Sequence, residues 1–366
     1  MKIAHIVNSL NTGGAEKLIL DSLPIYERKG IDVDLILLDD NPSVFRTKFE
    51  NDYNKKVLGL TRSSIYNPSL IFKLIPLLKN YSVIHGHLFP VLYWLVFAKI
   101  ISRSKVRIIF TEHSTNNRRR SHPILKYVDR YIYSKVEFIG CISEGTKEEL
   151  NNHINTPNKV RVINNGIDLE QFSRDNYSLA KHEPSTGGAI ALIQVASFRY
   201  PKDQITVIET MKLLPQQYKL LLVGDGPLRS RAEELVKSLQ LEGRVEFLGN
   251  RYDIPKLFSD ANIVIVSSKY EGFALVAVEG MAMGIPVVAS DVKGVSDIVE
   301  GAGLLFQVGN SKDLAEKILL LGKDSDFFIE ISEKCLIRSR EYSIEKMVDR
   351  YIDVYKYGND QVSKIG

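Results

Sequence analysis

Residues 269–290 read "KYEGFALVAVEGMAMGIPVVAS". The β-branched run "NIVIVSS" (262–268) leads into this stretch and "PVVAS" (286–290) closes it, so the order is strand, turn, helix, turn, strand. Gly272 permits a tight turn, and the spacing predicts a helix from Phe273 or Ala274 to Met283, stopped by Gly284 and Pro286. Strand, helix and strand at this length make the repeating unit of a parallel sheet with helices on its faces. Two carboxylates stand in the otherwise apolar segment, Glu271 before the helix and Glu279 inside it, where burial makes charge costly.

At roughly 1.5 Å per residue the two carboxylates are about 12 Å apart, too far to work as a close acid and base pair on one bond. They can instead hold opposite ends of an extended ligand whose anionic middle rests on the N–H groups at the helix start. A sugar nucleotide has that shape. Either glutamate alone is equally a helix cap or a surface helix position.

The same alternation runs through all 366 residues. In the first half the apolar runs are "KIAHIVN", "DVDLILLD", "SVIHGH", "VRIIFTEH", "VEFIGCIS" and "KVRVINN"; in the second they are "AIALIQVAS", "KLLLVG", "RVEFLG", "NIVIVSS", "PVVAS" and "GLLF". About six strands per half, in a chain about twice the roughly 150 residues of one domain, imply two doubly wound α/β domains. Between the sets, "RDNYSLAKHEPSTGGA" (174–189) is poor in apolar residues and rich in turn formers, which makes it the expected linker. The closing "SIEKMVDRYIDVYKY" repeats Ile344, Met347, Val348, Tyr351, Ile352 and Tyr355 at steps of three and four, the pattern of an amphipathic helix. The expected division is therefore residues 1–178, residues 189–342, and a helical tail, residues 343–366. In doubly wound sheets ligands gather at the carboxyl ends of strands, and the polar and glycine-rich segments here all follow strands, so an interdomain cleft is expected.

With 44% hydrophobic and 25% charged residues, both domains can bury a core. Cys141 and Cys335 lie far apart without metal-ligand spacing, which argues against structural zinc and fits free thiols in a reducing compartment. The N-terminus reads as a first strand and not as a signal peptide. The longest apolar run, "FPVLYWLVFAKIIS", is interrupted by Lys99 and falls short of the roughly 20 residues that cross a bilayer, so a cytoplasmic protein is expected. Net charge is uneven: residues 1–178 carry +7 and the rest −3, with nine basic residues against two acidic ones from Ser102 to Lys135. No recognisable motif ties those basic residues to nucleic acid.

"EGFALVAVE" resembles the E-x7-E element of retaining glycosyltransferase family 4, whose GT-B fold sets two Rossmann-like domains face to face. The likeness covers nearly the whole chain, because "GGAEK", "VIHGH", "TEHS", "VINNGIDLEQF", "FRYPKDQ", "VGDGPLR", "FLGNRYDI" and "GIPVVASDVKGVSDIV" resemble further family elements in family order. The resemblance implies transfer of a sugar from a nucleotide diphosphate sugar, with UDP favoured, to a hydroxyl of a glycan or lipid-linked acceptor in cell-surface polysaccharide or glycolipid biosynthesis. It also implies retention of configuration, no cofactor or essential metal, an N-terminal acceptor domain, a C-terminal donor domain, and a tail helix that returns to the N-terminal domain.

By the same resemblance, Glu271 meets the donor sugar's hydroxyls and the backbone of Gly272, Phe273, Ala274 and Leu275 faces sugar and phosphates. Many members have glycine where Ala274 stands. Glu279 takes the ribose hydroxyls, since a carboxylate accepts two such bonds at once. Arg199 and Lys202 follow a strand, where fixed cations stabilise the charge growing on a departing diphosphate. Many relatives carry the arginine two places earlier, at the position of Ser197. Gly13 and Gly14 approach the phosphates from the N-terminal side, while Asn250 and Arg251 edge the base. His113 of "TEHS" lies near the anomeric carbon and joins Arg199, Lys202 and Glu271 as a catalytic candidate.

His87 and the run Arg118, Arg119, Arg120 fall on the acceptor side. That run attracts a lipid diphosphate or the anionic membrane surface, each basic residue contributing about 1 kcal/mol near anionic lipid, so contact with the inner face of the membrane is expected. His85 reads as structural, and Tyr93, Trp94 and Phe97 as core. A nucleotide-sugar epimerase and a non-catalytic glycan- or nucleotide-binding protein are the competing readings. An NAD oxidoreductase is disfavoured because no G-x-G-x-x-G follows the first strand.

Overall fold

The computed structural model describes residues 1–11, 13–53, 57–113, 123–154, 157–173 and 188–359. Two compact units divide the chain: unit 1 is Met1–Gly166 with Ile344–Gly366, and unit 2 is Ile167–Ser343.

Unit 1 is a parallel sheet of β1 (Lys2–Val7), β2 (Asp32–Asp39), β3 (Leu58–Thr61), β4 (Val83–His87), β5 (Arg107–Glu112), β6 (Phe138–Cys141) and β7 (Val160–Val162), in the order β3-β2-β1-β4-β5-β6-β7. Helices α1 (Gly14–Arg28), α2 (Val44–Tyr53), α3 (Leu70–Leu78), α4 (Val91–Ser102), α5 (Pro123–Ser134) and α6 (Glu144–Ile154) connect the strands. Strand β3 is not among the expected runs. Its four residues, "LGLT", are partly exposed at the sheet edge and need no continuous apolar pattern.

Unit 2 is a parallel sheet of β8 (Ile190–Val195), β9 (Tyr218–Val223), β10 (Val245–Gly249), β11 (Ile263–Val266), β12 (Val287–Ser290) and β13 (Leu304–Phe306), in the order β10-β9-β8-β11-β12-β13. Its helices are α7 (Gln204–Met211), α8 (Arg229–Ser238), α9 (Ile254–Ser259), α10 (Leu275–Ala282), α11 (Ser296–Val299), α12 (Ser311–Lys323) and α13 (Ser325–Ser339). All six runs expected in this half form strands. Buried on both faces, β11 and β12 are apolar throughout apart from the terminal Ser290, as a covered parallel sheet requires.

The last helix, α14 (Ile344–Tyr357), belongs to unit 1 and packs on α1. Its buried residues Ile344, Met347, Val348, Tyr351, Ile352, Val354 and Tyr355 share a core with Ile3, Val7, Val83 and Ile109 of the sheet. Each large apolar side chain buried there contributes about 1.5–3 kcal/mol. Arg107 donates to the carbonyls of Tyr355 (2.6 Å) and Val354 (3.1 Å), which meets the unpaired carbonyls at the helix end. The passage into unit 2 comes at Ile167, earlier than the expected boundary at 178. The Ile167 amide donates to the Tyr342 carbonyl at 2.9 Å, and Phe172 is buried against Phe258, so these residues pack with unit 2.

In each sheet the strand order reverses once, between β1 and β4 in unit 1 and between β8 and β11 in unit 2. Loops leaving adjacent strands at such a point diverge to opposite faces and open a crevice at the carboxyl edge.

Candidate active site

The crevice of unit 2 is bounded by residues 196–203 after β8 and residues 267–274 after β11. Their backbones are tied together. Lys202 and Ser268 form an isolated antiparallel bridge, the Lys269 amide donates to Pro201 O at 3.0 Å, and the Asp203 amide donates to Ser267 O at 3.1 Å. Ser290, at the end of β12, accepts from the Ser268 amide and donates to the Ser268 carbonyl, both at 2.9 Å. This frame sets Lys202 Nζ against Glu271 Oε2 as an ion pair, with Ser268 Oγ 3.4 Å from the same oxygen. The two side chains are 25% and 20% exposed, so the pair is shielded yet within reach of a ligand. Arg199, on the same loop, is exposed, and its guanidinium has no partner among the described residues.

Helix α10 starts at Leu275 with Ala274 as its cap residue, and Gly284 (φ 69°) follows its end. The Leu275 amide donates to Phe273 O at 3.2 Å, whereas the amides of Phe273 and Ala274 have no backbone partner among the described residues. Among the residues whose backbone is expected to face a ligand, Phe273 and Ala274 therefore have open amides. Glu279 sits in the second turn, 8% exposed. Next to it, Gly280 lets the helix lie close on the sheet, since a Cβ there would meet Val264 Cγ2 at 2.8 Å. Gly294 (φ 83°) backs the Glu271 turn: a Cβ would fall 2.4 Å from Glu271 O and 2.7 Å from Gly272 O. The sequence reading gave Gly294 no role, because a glycine in a loop after a strand is an ordinary turn signal.

Arg251, expected at the base edge, forms a two-pronged bond with Asp253 (2.8 and 2.6 Å), and that bond lowers the Asp253 carboxyl to about 2. Asn250 is exposed in the turn after β10. "VGDGPLR" is a strand-to-helix turn between β9 and α8. It packs on the Lys202 loop, where the Phe198 amide donates to Asp225 O at 3.0 Å and the Leu228 amide to Phe198 O at 2.9 Å.

In unit 1, Gly13 is the cap residue of α1 and Gly14 its first residue. Gly13 has extended backbone (φ −158°), and the space a Cβ would take is filled by Glu16 Oε2, 2.2 Å away. Burial raises the Glu16 carboxyl above its ordinary range. Residues on one parity of each strand face α1 and α14, and on that face the sequence places His5, His85, His87 and Thr111. His5 lies directly opposite His85 in the register of β1 and β4. His113 follows β5 and is only partly buried. Burial lowers His113 to about 4 and His5 to about 3, and drives His85 and His87 well below the ordinary histidine value, so all four rings are neutral near pH 7.

His87, expected on the acceptor side, stands within this cluster. It is 4% exposed behind His113, and both of its ring nitrogens are taken, by His5 and by His113. His85 likewise has both nitrogens engaged, by Tyr355 and Thr111. The sequence reading assigned His5, Tyr26 and Thr111 no role, and showed Tyr351 and Tyr355 only as the apolar face of a helix. The available signal was a polar residue enclosed in each run, His5 in "KIAHIV" and Thr111 in "RIIFTE", on the face shared with His85. Arg118, Arg119 and Arg120 lie outside the described residues. Tyr93, Trp94 and Phe97 pack against the core, with Trp94 Nε1 donating to Ile65 O at 2.8 Å. Among the described residues no helix is long and apolar enough to cross a membrane.

Residues 12–171 match the family model described as Glycosyltransferase Family 4, and residues 179–341 match the one described as Glycosyl transferases group 1. The chain is similar to N-acetyl-alpha-D-glucosaminyl L-malate synthase of Bacillus anthracis, with 27% identity over 285 residues, 76% of this chain and 75% of that protein. It is also similar to the N-acetylgalactosamine-N,N'-diacetylbacillosaminyl-diphospho-undecaprenol 4-alpha-N-acetylgalactosaminyltransferase of Campylobacter jejuni, with 25% identity over 376 residues, 97% of this chain and 99% of that protein. Among solved structures, HepE of Anabaena in complex with UDP and glucose shares the fold with a TM-score of 0.85 and 22% identity, covering 98% of this chain and 100% of that one.

Proposed function

The chain belongs to the family 4 glycosyltransferases of the GT-B fold, and from that premise we propose that it transfers a sugar, with retention, from a UDP-sugar to a hydroxyl of a glycan or lipid-linked acceptor. The observation that carries this reading is the Lys202–Glu271 pair at the strand reversal of unit 2, beside the open amides at the start of α10. A donor exchanges the pair for itself: sugar hydroxyls bond to Glu271, while the diphosphate takes Lys202 and Arg199. Neither charge is then left without a partner when water is excluded. The cations stabilise the transition state more than the ground state, because the bond from the anomeric carbon to the phosphate oxygen breaks as negative charge gathers on that oxygen. The acceptor oxygen attacks on the same face and its proton passes to the departing phosphate oxygen. With these fixed cations in place the reaction needs no divalent metal. Glu279 takes the ribose hydroxyls, and His113 takes a sugar hydroxyl.

Polyprenyl-diphosphate glycans as acceptors are favoured by the diphospho-undecaprenol substrate named for the Campylobacter relative. A lipid-linked acceptor would place the reaction at the inner face of the membrane. The test is calorimetry of the purified chain with UDP, GDP and a set of UDP-sugars, then mass spectrometry of products formed on lipid-linked acceptors with and without EDTA. Magnetic resonance of the product's anomeric centre decides the stereochemistry. An inverted product removes retention, and trapping a glycosyl-enzyme removes same-face attack. Failure of every UDP-sugar to bind removes the donor assignment.

A further inference from the structure

Seven hydrogen bonds join eight polar side chains into a branched network on the α1/α14 face of unit 1. His113 Nε2 meets His87 Nδ1 at 3.1 Å, His87 Nε2 meets His5 Nδ1 at 2.9 Å, and His5 Nε2 meets the Tyr355 hydroxyl at 3.3 Å. That hydroxyl also contacts His85 Nδ1 at 2.6 Å and donates to the Tyr26 oxygen at 3.2 Å. His85 Nε2 meets Thr111 Oγ1, and Thr111 Oγ1 meets the Tyr351 hydroxyl, both at 2.7 Å.

Proton counting orients the branch that reaches His113. A neutral imidazole and a hydroxyl each supply one proton. Tyr355 gives its single proton to Tyr26, so it must accept from both His5 Nε2–H and His85 Nδ1–H. With its proton on Nε2, His5 accepts at Nδ1 from His87 Nε2–H. His87 then accepts at Nδ1 from His113 Nε2–H. His113 is left with a bare Nδ1, which has no partner among the described residues and is not among the enclosed atoms that lack one. The spare proton belongs to Tyr26, whose side chain lines a cavity with room for about one water.

We propose that His5, His87 and Tyr355 are positioning residues that hold His113 in its Nε2–H tautomer, so that Nδ1 is a fixed acceptor for a hydroxyl of the sugar substrate. Reversing that tautomer requires every bond back to Tyr355 to reverse with it, whereas a free imidazole exchanges tautomers readily. The inference deepens the glycosyl-transfer reading and rests on it for the identity of the hydroxyl. A metal is the competing use of this cluster, since ring nitrogens of His5, His85 and His87 lie within 4.8 Å of one another. Every one of those nitrogens already has a partner, and no carboxylate lines the cavity to offset a cation's charge, so hydrogen bonding fits these groups better.

Long-range proton–nitrogen correlation spectra of 15N-labelled protein at about pH 7, with each ring assigned by loss of its signals in single His→Gln variants, should show His113 protonated at Nε2 alone. A His113 ring protonated at Nδ1, a tautomer mixture, or stoichiometric metal in the purified protein overturns the proposal. Tyr355→Phe removes the bond that orients the chain. It should convert His113 to a tautomer mixture and lower kcat/KM roughly tenfold, the worth of about one hydrogen bond, with UDP affinity at unit 2 unchanged. A folded Tyr355→Phe protein whose His113 keeps a pure tautomer also overturns it. The wild-type spectra need no turnover, and their assignment asks only that the His→Gln variants fold, so a chain that proves inactive on every sugar nucleotide leaves them decisive. Activity with a wrong tautomer removes the relay and spares the enzyme.

Discussion

Unit 1 and unit 2 each place polar groups where the strand order of a doubly wound sheet reverses, and they hold those groups by opposite means. In unit 1 the groups are inside: His5, His85 and His87 are each at most 4% exposed, and they are held as uncharged rings by hydrogen bonds. In unit 2 they are at the rim, where Lys202 and Glu271 form an ion pair and part of each side chain meets water. Burial decides the difference. A charge inside unit 1 would have no counter-charge among the residues lining its cavity, whereas a charge at the edge of unit 2 costs little and can change partners when a ligand arrives.

The comparison breaks most visibly with acid. The four rings have folded values below the ordinary 6.5, so their contribution to stability is complete above that pH and is lost as pH falls from 6.5 toward about 4 and about 3. The loss is about 1.4 kcal/mol per pH unit for each ring, and several kcal/mol by pH 5 is a large part of the roughly 5–15 kcal/mol that holds a domain folded. All seven histidines lie at or before His182, so the sheet and helices of unit 2 contain none. The single tryptophan, Trp94, reports on unit 1. Its fluorescence melting temperature should drop steeply between pH 6.5 and 5, while a second transition seen by circular dichroism moves little. Equal movement of both would mean that the buried rings do not set unit 1 apart.

The second effect falls on turnover. Lys202→Ala should slow sugar transfer by about 10²- to 10³-fold, the cost of removing one fixed transition-state donor, with little change in the unit 1 melt. Steady-state rates within a few fold of wild type would remove Lys202 from the chemistry. Gly294→Ala tests the frame behind Glu271. A positive φ and a Cβ 2.4 Å from Glu271 O should cost unit 2 about 1–3 kcal/mol and displace the carboxylate. Unchanged stability and donor affinity would show that the turn can yield.

What the sequence made legible follows the same division. Unit 2's six strands, and α10 to within two residues, could be read because local apolar runs, glycines and Pro286 punctuate them. Lys202 and Glu271 came to notice from the segments they sit in, but their pairing depends on two loops 69 residues apart being tied through Ser268. The histidine network was hidden because it is a matter of register. Nothing in "KIAHIV" or "SVIHGH" says that His5 stands opposite His85, and Tyr355 reaches both from the far end of the chain. Tyr351 and Tyr355 were legible as the apolar face of a helix, while their hydroxyls answer to groups only the tertiary fold brings near.

The smallest expected effect concerns Arg251, and its size separates two ways of holding a base. In the free protein its guanidinium is already committed to Asp253 through two bonds. A base that bonds to Arg251 gains only the difference between that contact and the one given up, and for an exposed, solvent-screened pair that difference is small. Arg251→Ala should therefore weaken UDP binding, measured by calorimetry, no more than about fivefold. Asp253→Asn weakens Arg251's existing partner and should strengthen binding slightly. A hundredfold loss in the alanine variant would mean that Arg251 leaves Asp253 on binding and grips the nucleotide as firmly as Lys202 is proposed to grip the diphosphate. The rim of unit 2 would then be a set of exchangeable ion pairs throughout, and not at the Lys202–Glu271 pair alone.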